Sequence, residues 1–503
     1  MTFAADLAAS RPGETALRDP QQSWSWSQVD DALRPLVNAL LAVPFRPARR
    51  VGIYAENSGS TLLCYAACTL AGASAVAVNY HLTPSETAYI LQHGEVDLLY
   101  VDDATGERGL EAARLAQVPL VVGGTGRVAG VVRLADWAAG AGDDEPPTSH
   151  PPRRTVVYTS GTTGRPKGVE LPWTSWVAGD DIAEHLARLA QVGMVQHGRH
   201  LVVGPMYHSG PLTGTRLLLG GAPVTVLGRF DAEALLEVVQ RDRVGSTIVV
   251  PTHLQRILAL PEGVRRSYDV SSLRFVLQVG AKCPEPVKRA VIEWLGDGVY
   301  ESYGASEVGT TCMISAAEWL AHPGSVGRAV PPFEAVVLDD DDRPVPAGVQ
   351  GRLFFRDSSG HGLTYVDGSD GDRVGDLFTL GEIGVMDADG FVWVTDRATD
   401  MVVSGGVNIY PAEAEAVLAQ HPQVVEVACL AEPDEEMGER LVAVVVVRGQ
   451  LDPQDLLGWC RERLTHYKCP RRVQLVEALP RTAVGKLDKR AIKAALRPAV
   501  PSA

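Results

Sequence analysis

The sequence of 503 residues lacks the features of a secreted, membrane-spanning or nucleic-acid-binding protein. Its seven cysteines are scattered without a CxxC pair, which excludes a disulfide framework and indicates a reducing compartment, so we expect a cytoplasmic location. No basic segment followed by an apolar core stands at the N-terminus, so no signal peptide is expected. Acidic side chains (61) outnumber basic ones (46), and the net charge of −15 disfavours nucleic acid and anionic membranes as partners.

Long apolar runs are also missing. The uncharged stretch Asn57–Tyr80 is rich in Ser, Thr, Ala and Gly, so it predicts a buried helix (Thr61–Leu70) and a buried strand (Ala75–Val78) rather than a membrane span. Cys64 and Cys68 share a face of that helix, but no nearby histidine completes a metal site. We expect both thiols to be buried as small apolar groups.

What the sequence does contain is an alternation of elements. Between Val51 and about Ser302, short β-branched runs are separated by helix-like segments, which predicts βαβ units with helices on both faces of the sheets. Shorter strands with Gly/Asp turns follow Tyr303. We therefore expect an α/β fold. A large N-terminal domain (1–398) of two αβ-layered sheets plus a small β-rich subdomain precedes a small mobile α+β C-terminal domain (399–503).

The strongest local signal is the run Tyr158–Gly168, YTSGTTGRPKG, at the end of a predicted strand. Glycines let backbone amides approach phosphate oxygens, hydroxyl groups add donors, and Lys167 adds a positive charge. It is not a Walker A loop, because Lys167 is followed by glycine. Taken alone, such a run is equally well a flexible polar loop.

Five motifs occur along nearly the whole chain: TSGTTGRPKG (159–168), YGASE (303–307), TDR (395–397), SGGVNIYP (404–411) and PRTAVGKLDKR (480–490). In their order and roughly their spacing they resemble those of the adenylate-forming enzymes. This superfamily contains acyl-CoA synthetases, peptide-synthetase adenylation domains and firefly luciferase. The resemblance implies that a carboxylic acid reacts with ATP to give acyl-AMP and pyrophosphate, and that the acyl group then passes to coenzyme A, with Mg²⁺ as a further cofactor.

The resemblance also implies roles for individual residues. Lys486, Glu307 and Lys167 would be catalytic: Lys486 bridges the acid and the α-phosphate, Glu307 holds Mg²⁺, and Lys167 belongs to the phosphate loop. The implied ATP and AMP contacts are Thr159, Ser160, Gly161, Thr162, Thr163, Gly164, Lys167, Gly280, Ala281, Glu301, Ser302, Tyr303, Gly304, Ser306, Glu382, Arg397 and Lys486. The implied acyl pocket contains His208, Gln278, Val279 and Gly280, the coenzyme A tunnel Ser404, Gly405 and Gly406, and the hinge Thr399 and Asp400.

Two departures from the family pattern bear on this site. The usual Thr-Gly-Asp that holds the ribose is Leu380-Gly381-Glu382 here, which keeps the charge and adds a methylene group. Lys282 is an unexpected cation near the acyl pocket, and we expect it to face solvent at a helix start. His208 either lines or gates the acyl pocket or is a structural histidine.

The acid itself is only partly indicated. Pro205–Pro211 carries no carboxylate that could pair with an α-ammonium, so an amino acid is disfavoured. The run 280–307 is similar to ligases of steroid side chains and bile acids. That favours a bulky apolar, polycyclic or terpenoid acid in bacterial-type secondary metabolism or catabolism, with a medium-chain fatty or aryl acid as the alternative.

Four functions stay open from the sequence, to different degrees. The leading one is an AMP-forming acid–CoA ligase of lipid or related acid metabolism. A stand-alone adenylating enzyme would instead pass acyl-AMP to a carrier protein or a partner ligase. A catalytically dead binding protein is disfavoured because the lysine, glutamate and arginine of the motifs are present, and a luciferase-like oxygenase is the rarer use of this fold. Homodimer formation is left open.

Overall fold

The computed structural model describes residues 3–160, 166–172, 179–360, 366, 372–397, 402–480 and 489–496. The chain divides into two compact units, each of which is described by itself. The first consists of Met1–Tyr80, Pro84–Tyr158 and Gly168–Asp396. The second consists of His81–Thr83, Thr159–Lys167 and Arg397–Ala503.

Helices are distributed along the whole chain, and none of those described combines the length and the apolar character that a membrane span needs. The α-helices are Phe3–Ser10, Trp26–Ala42, Gly59–Leu70, Pro84–His93, Gly106–Ala116, Leu134–Ala139, Ile182–Leu189, Thr213–Leu219, Ala232–Asp242, Pro251–Leu258, Glu262–Ser267, Glu285–Leu295, Ala316–Ala321, Pro411–Leu418, Pro453–Arg461 and Lys489–Ala495. Short 3₁₀ helices are Gly193–His197, Gly296–Gly298 and His466–Lys468.

The strands form three sheets. In chain order they are β1 (Thr15–Arg18), β2 (Ser23–Ser25), β3 (Arg50–Tyr54), β4 (Ser74–Ala77), β5 (Val96–Val101), β6 (Leu120–Gly123), β7 (Val156–Ser160), β8 (Pro166–Glu170), β9 (His200–Val202), β10 (Val224–Val226), β11 (Ser246–Val249), β12 (Phe275–Gln278), β13 (Val299–Ala305), β14 (Gly309–Ser315), β15 (Gly327–Ala329), β16 (Phe333–Leu338), β17 (Gln350–Asp357), β18 (Arg373–Val374), β19 (Leu377–Met386), β20 (Phe391–Arg397), β21 (Val402–Ser404), β22 (Val407–Ile409), β23 (Val424–Asp434), β24 (Gly438–Val447) and β25 (Arg472–Leu475).

The smaller sheet of the first unit has the order β6-β5-β3-β4-β7-β8, and its β6-β5-β3-β4-β7 pairs are parallel. Helix Gly59–Leu70 crosses from β3 to β4 and is buried over nearly its whole length, as expected of a sheet covered by helices. Ser58 caps this helix by accepting a hydrogen bond from the Thr61 amide at 3.1 Å. Gly59 has to be a glycine, because a Cβ there would lie 2.3 Å from the Trp24 ring.

The larger sheet has parallel and antiparallel parts. Strands β1, β10, β9, β11, β12 and β13 are neighbours in that order and pair in parallel. Beyond β13 the order continues through β14, β15, β20, β19, β17 and β16, with the described pairs antiparallel. The predicted β-rich segment therefore extends the large sheet, although it has an apolar cluster of its own that includes Val308, Phe355 and Phe378.

The second unit contains a sheet ordered β22-β21-β24-β23, with β25 beside β24. Helices Pro411–Leu418 and Pro453–Arg461 contribute to its apolar core. Lys468 and Glu413 form an ion pair at 2.7 Å in that core, with side chains only 5% and 6% exposed.

The expectations about fold hold in most respects. The mixed α/β class is confirmed, and all seven cysteines are free and buried, including Cys64 and Cys68. The boundary at 399 and the mobility of the C-terminal domain stay predictions, because Thr399 and Asp400 lie outside the described residues.

Candidate active site

Several predicted site residues meet at one edge of the large sheet, where parallel strands β9, β11, β12 and β13 end. Ligands of open α/β sheets bind outside such carboxyl ends. His208 follows β9, Gln278 ends β12, and Val279 and Gly280 come directly after it. The YGASE motif (303–307) covers the end of β13.

Side-chain and backbone contacts join the loops at this edge. The Ser209 hydroxyl oxygen after β9 lies 3.2 Å from that of Ser306 after β13. A Cβ on Gly210 would meet Ile248 of β11 at 3.5 Å and Val279 at 3.9 Å, which is ordinary van der Waals contact. The loop after β9 therefore packs against the loops after β12 and β13 and against Ile248.

Tyr303, the predicted adenine-stacking residue, is held by Glu382. Its hydroxyl group donates a hydrogen bond of 2.7 Å to Glu382 Oε2, and its ring packs near Phe355 with centroids 6.2 Å apart. Glu382 is buried, at 8% exposure. The next residue, Gly304, accommodates a close approach of β14, because a Cβ there would lie 1.9 Å from the Gly309 carbonyl oxygen. Sequence reasoning assigned Glu382 to the ribose and missed its contact with Tyr303.

Two further predicted site residues, Glu301 and Gln278, are tied to a buried lysine. Lys288 Nζ lies 3.2 Å from Glu301 Oε2 and donates to Gln278 Oε1 at 3.3 Å. The amide group of Gln278 donates in turn to the Ala281 carbonyl oxygen at 2.8 Å. Burial raises the pKa of Glu301, and the charge of Lys288 opposes that rise. The network thus fixes the backbone beneath the site, and ligand contacts of these residues stay predictions.

Sequence reasoning missed Lys288 although a signal exists. The residue lies in helix Glu285–Leu295, three and four positions before the buried residues Val291 and Ile292. It therefore occupies an apolar position of the helical pattern, where a lysine is buried only with a partner. Lys282, in contrast, is exposed, as expected.

His208 lies among aromatic rings. The ring of Tyr207 is 4.5 Å from that of His208, centroid to centroid, and Tyr80 packs edge-on against Tyr207 at 5.3 Å. Burial lowers the pKa of His208 to about 4, so the imidazole is neutral near pH 7. Sequence reasoning did not single out either tyrosine.

Glu307, the predicted Mg²⁺ ligand, is half-buried in the turn between β13 and β14. Across the part of the chain that the structure describes, no group of three or more His, Cys, Asp or Glu side chains could hold a metal. A Mg²⁺ ion at Glu307 would therefore take its other ligands largely from phosphate oxygens and water, which is the usual arrangement for this ion. This role stays a prediction.

The phosphate-loop residues are described only at the loop's two ends. Thr159 and Ser160 end β7, and Lys167 lies in β8. Gly161, Thr162, Thr163 and Gly164 lie outside the described residues. The phosphate contacts therefore stay predictions.

In the second unit, Gly405 and Gly406 form the turn between β21 and β22. Their φ angles of 58° and 81° are left-handed, which a two-residue hairpin of this type requires and glycine adopts most easily. Ser404 is buried at 7% exposure. Arg397 ends β20, whereas Lys486 lies outside the described residues, so the tunnel, ribose and lysine roles stay predictions.

Comparison with known families agrees with this arrangement. Residues 5–364 match the model described as AMP-binding enzyme, and residues 413–486 match its C-terminal domain. The chain belongs to the AMP-binding enzyme family, which confirms the resemblance to adenylate-forming enzymes.

Individual relatives cover nearly the whole chain. An indoleacetate–CoA ligase of Aromatoleum aromaticum is 32% identical, covering 96% of this chain and 95% of the relative. A feruloyl-CoA synthase of Amycolatopsis is also 32% identical, covering 96% of both chains. The solved structure of an amide bond synthetase from Marinactinospora thermotolerans superposes with a TM-score of 0.82 at 25% identity, covering 98% of this chain and 99% of the other. The predicted enzyme class, an AMP-forming acid–CoA ligase, is confirmed.

Proposed function

We propose that this enzyme activates an aryl or arylalkyl carboxylic acid to its adenylate and transfers the acyl group to coenzyme A. The observation that carries the proposal is the cluster at the carboxyl edge of the large sheet, where the rings of Tyr207 and His208 lie beside each other and the Gly210 backbone approaches Ile248 and Val279. Gly210 contributes no side chain there, and its Cβ position lies 3.5 Å from Ile248 and 3.9 Å from Val279. Apolar and aromatic side chains of this kind are the usual lining of a site for an aryl acid.

The neutral side chains at this edge favour an acid with an uncharged ring. His208 is neutral near pH 7 because burial lowers its pKa to about 4, and Tyr207 adds an aromatic face beside it. Two relatives of this chain are named for indoleacetate and ferulate, which are acids of this kind. A polycyclic, terpenoid or fatty acid stays the alternative substrate.

The reaction requires two anions, the acid and ATP, to be brought together. We assign Mg²⁺ at Glu307 and the lysines Lys167 and Lys486 to the neutralisation of that charge, since preorganised cations stabilise phosphoryl transition states. Tyr303, positioned by Glu382, would stack on adenine. A cytoplasmic location, indicated by the seven free thiols, is part of the same proposal.

A panel of acids tests the proposal. Pyrophosphate release is measured with indoleacetate, ferulate, 2-succinylbenzoate, octanoate and a bile acid, each with and without coenzyme A. We expect the highest kcat/KM with an aryl acid and formation of the thioester only when coenzyme A is present. Release of pyrophosphate without thioester would indicate an enzyme that passes acyl-AMP to another acceptor. A parallel assay with an amine in place of coenzyme A tests for amide formation, the chemistry named for the structural neighbour. No release with any acid would contradict the function.

A matched pair of variants tests the pocket. Gly210→Ala adds a methyl group against Ile248 and Val279, whereas Gly193→Ala adds one where nothing lies within 4 Å. We expect Gly210→Ala to lower kcat/KM for the two-ring indoleacetate about tenfold more than for the one-ring benzoate, since one methylene group discriminates by ~1–3 kcal/mol. Gly193→Ala should leave the ratio unchanged. An unchanged ratio in both would remove Gly210 from the pocket.

A further inference from the structure

The loop that follows β9 carries Tyr207, His208 and Ser209. Its first residues, 203–206, have left the sheet, so their backbone groups need hydrogen-bond partners outside the strand ladder. Pro205 has no amide hydrogen, and the loop leaves the sheet after Val202. Buried backbone groups need partners, so the carbonyl group before Pro205 and the amide group after it have to be satisfied from elsewhere.

Asn57 supplies both partners. Its Nδ2 donates to the Gly204 carbonyl oxygen at 2.8 Å, and its Oδ1 accepts from the Met206 amide at 2.9 Å. Gly204 is buried, and the Met206 side chain is 2% exposed in the core. A single amide side chain therefore holds the backbone on both sides of Pro205, as an amide group with one donor face and one acceptor face can do.

The segment that bears Asn57 is itself fixed. The Glu56 amide donates to Asp102 Oδ2 at 2.7 Å, and the Glu56 carbonyl oxygen accepts from the Thr61 hydroxyl group at 2.8 Å. Two residues after Asn57, the Gly59 amide donates to Asp19 Oδ2 at 2.8 Å. The turn between β3 and helix Gly59–Leu70 can thus act as a rigid support for the loop that it holds.

The held loop reaches the site. Two residues beyond Met206, the His208 amide donates to the Pro205 carbonyl oxygen at 3.1 Å, which forms a turn directly after the Asn57 contact. Ser209 then touches Ser306 of the YGASE motif at 3.2 Å. Any shift of residues 204–206 is therefore passed to the side chains that border the acid.

We propose that Asn57 is a positioning residue for acid recognition, acting through the backbone of residues 204–206. It touches neither acid nor ATP; it sets the place of Tyr207, His208 and Gly210 relative to Val279. The inference rests on the proposed function, because it takes this loop to border the acid. This inference assigns a role in specificity to a residue on the turn that follows β3 of the smaller sheet, which none of the five motifs covers.

The test compares Asn57→Ala with Asn38→Ala. Asn38 Nδ2 also donates to backbone carbonyl oxygens, those of Gly142 at 3.3 Å and Asp144 at 2.8 Å. We expect Asn57→Ala to raise the KM for the acid about tenfold, as for the loss of two neutral hydrogen bonds, with the KM for ATP within about twofold. Asn38→Ala should leave both KM values unchanged. Asn57→Asp keeps the acceptor for the Met206 amide but sets a carboxylate oxygen against the Gly204 carbonyl oxygen, so it should raise the acid KM at least as much as Asn57→Ala.

Hydrogen exchange at the Met206 amide gives a readout that needs no substrate. Exchange should accelerate in Asn57→Ala and stay slow in Asn38→Ala. If the parental enzyme accepts an acid outside the aryl class, the KM comparison is made with that acid, so failure of the aryl proposal does not decide this one. An unchanged acid KM, or unchanged Met206 exchange, in folded Asn57→Ala would overturn it.

Discussion

The hydrogen bond from the Tyr303 hydroxyl group to Glu382 is expected to support ATP binding by fixing the position of the Tyr303 ring. At 2.7 Å it has the length of a charge-assisted O–H···O⁻ bond, and Glu382 is only 8% exposed, so solvent screens it little. Such bonds contribute ~1.5–3 kcal/mol. This energy is an upper limit for the effect on ATP binding, because the bond is present without ATP; at about 1.4 kcal/mol for each factor of ten, Tyr303→Phe should raise the KM for ATP by no more than roughly 10- to 150-fold.

Variants of Glu382 separate the hydroxyl contact from the charge. Glu382→Gln keeps an oxygen acceptor at the same reach and should raise the KM for ATP less than Tyr303→Phe does if geometry dominates. Glu382→Asp withdraws the carboxylate by roughly 1.5 Å, one carbon–carbon bond, and should behave like Tyr303→Phe. Acid KM should stay nearly constant in all three.

A double-mutant cycle decides whether the two residues act together. If they do, the effects of Tyr303→Phe and Glu382→Gln on kcat/KM for ATP will be clearly non-additive. Tyr268→Phe is the control, because its hydroxyl group donates to Glu233 at 3.0 Å on an exposed surface. Additivity within about 0.5 kcal/mol, or an unchanged ATP KM in Tyr303→Phe, would refute the reasoning.

The remaining predictions concern catalysis, stability and pH. Lys486→Ala should raise the activation free energy of acyl-AMP formation by ~2.7–4 kcal/mol, measured by single-turnover quench, while thiolation of supplied acyl-AMP continues. An unchanged rate of acyl-AMP formation would contradict the role of Lys486. Lys288→Met should lower the free energy of unfolding, measured in urea, by ~3–5 kcal/mol, because it leaves Glu301 buried without its cation. Adding Glu301→Gln should restore part of that stability. The free energy of unfolding should decrease as the pH is lowered from 7.5 to 5.5, and it should decrease less in His200→Asn.

Local patterns predicted much of the fold. The uncharged stretch after Asn57 contains the expected helix, here Gly59–Leu70, and the expected strand, here Ser74–Ala77. These elements were predictable because alternation, caps and turn residues act over a few positions.

Contacts between distant segments were not predictable in the same way. Asn57 bonds to backbone groups 147 and 149 residues further along the chain, and Tyr303 reaches Glu382 across 79 residues. No sequence pattern around these residues identifies their partners, because each contact depends on how distant strands are arranged in the sheets. The motifs predicted which residues belong to the site, whereas the side chains that hold Tyr303 and the loop after β9 are seen only in the packed structure.

The pH prediction rests on one buried histidine, His200, and two half-buried ones, His208 and His253, whose effect on stability has a sign that can be worked out. Burial lowers the pKa of His200 to about 3 and that of His208 and His253 to about 4, below the ~6.5 of an unfolded chain. Between these values the unfolded chain binds more protons, so stability is lost as pH falls below about 6.5. From pH 7.5 to 5.5 each histidine should cost about 1.3 kcal/mol.

Other groups act in the same range, which is why the variant matters more than the total slope. Burial raises the pKa of Glu301, and a raised carboxyl pKa adds stability as pH falls, opposite in sign to the histidines. The difference in unfolding free energy between the parental enzyme and His200→Asn cancels that contribution and should itself change by about 1.3 kcal/mol between pH 7.5 and 5.5. His253→Gln offers a second comparison where His200→Asn folds poorly. Parallel profiles for parental and variant enzymes would show that these histidines are not held neutral by the fold.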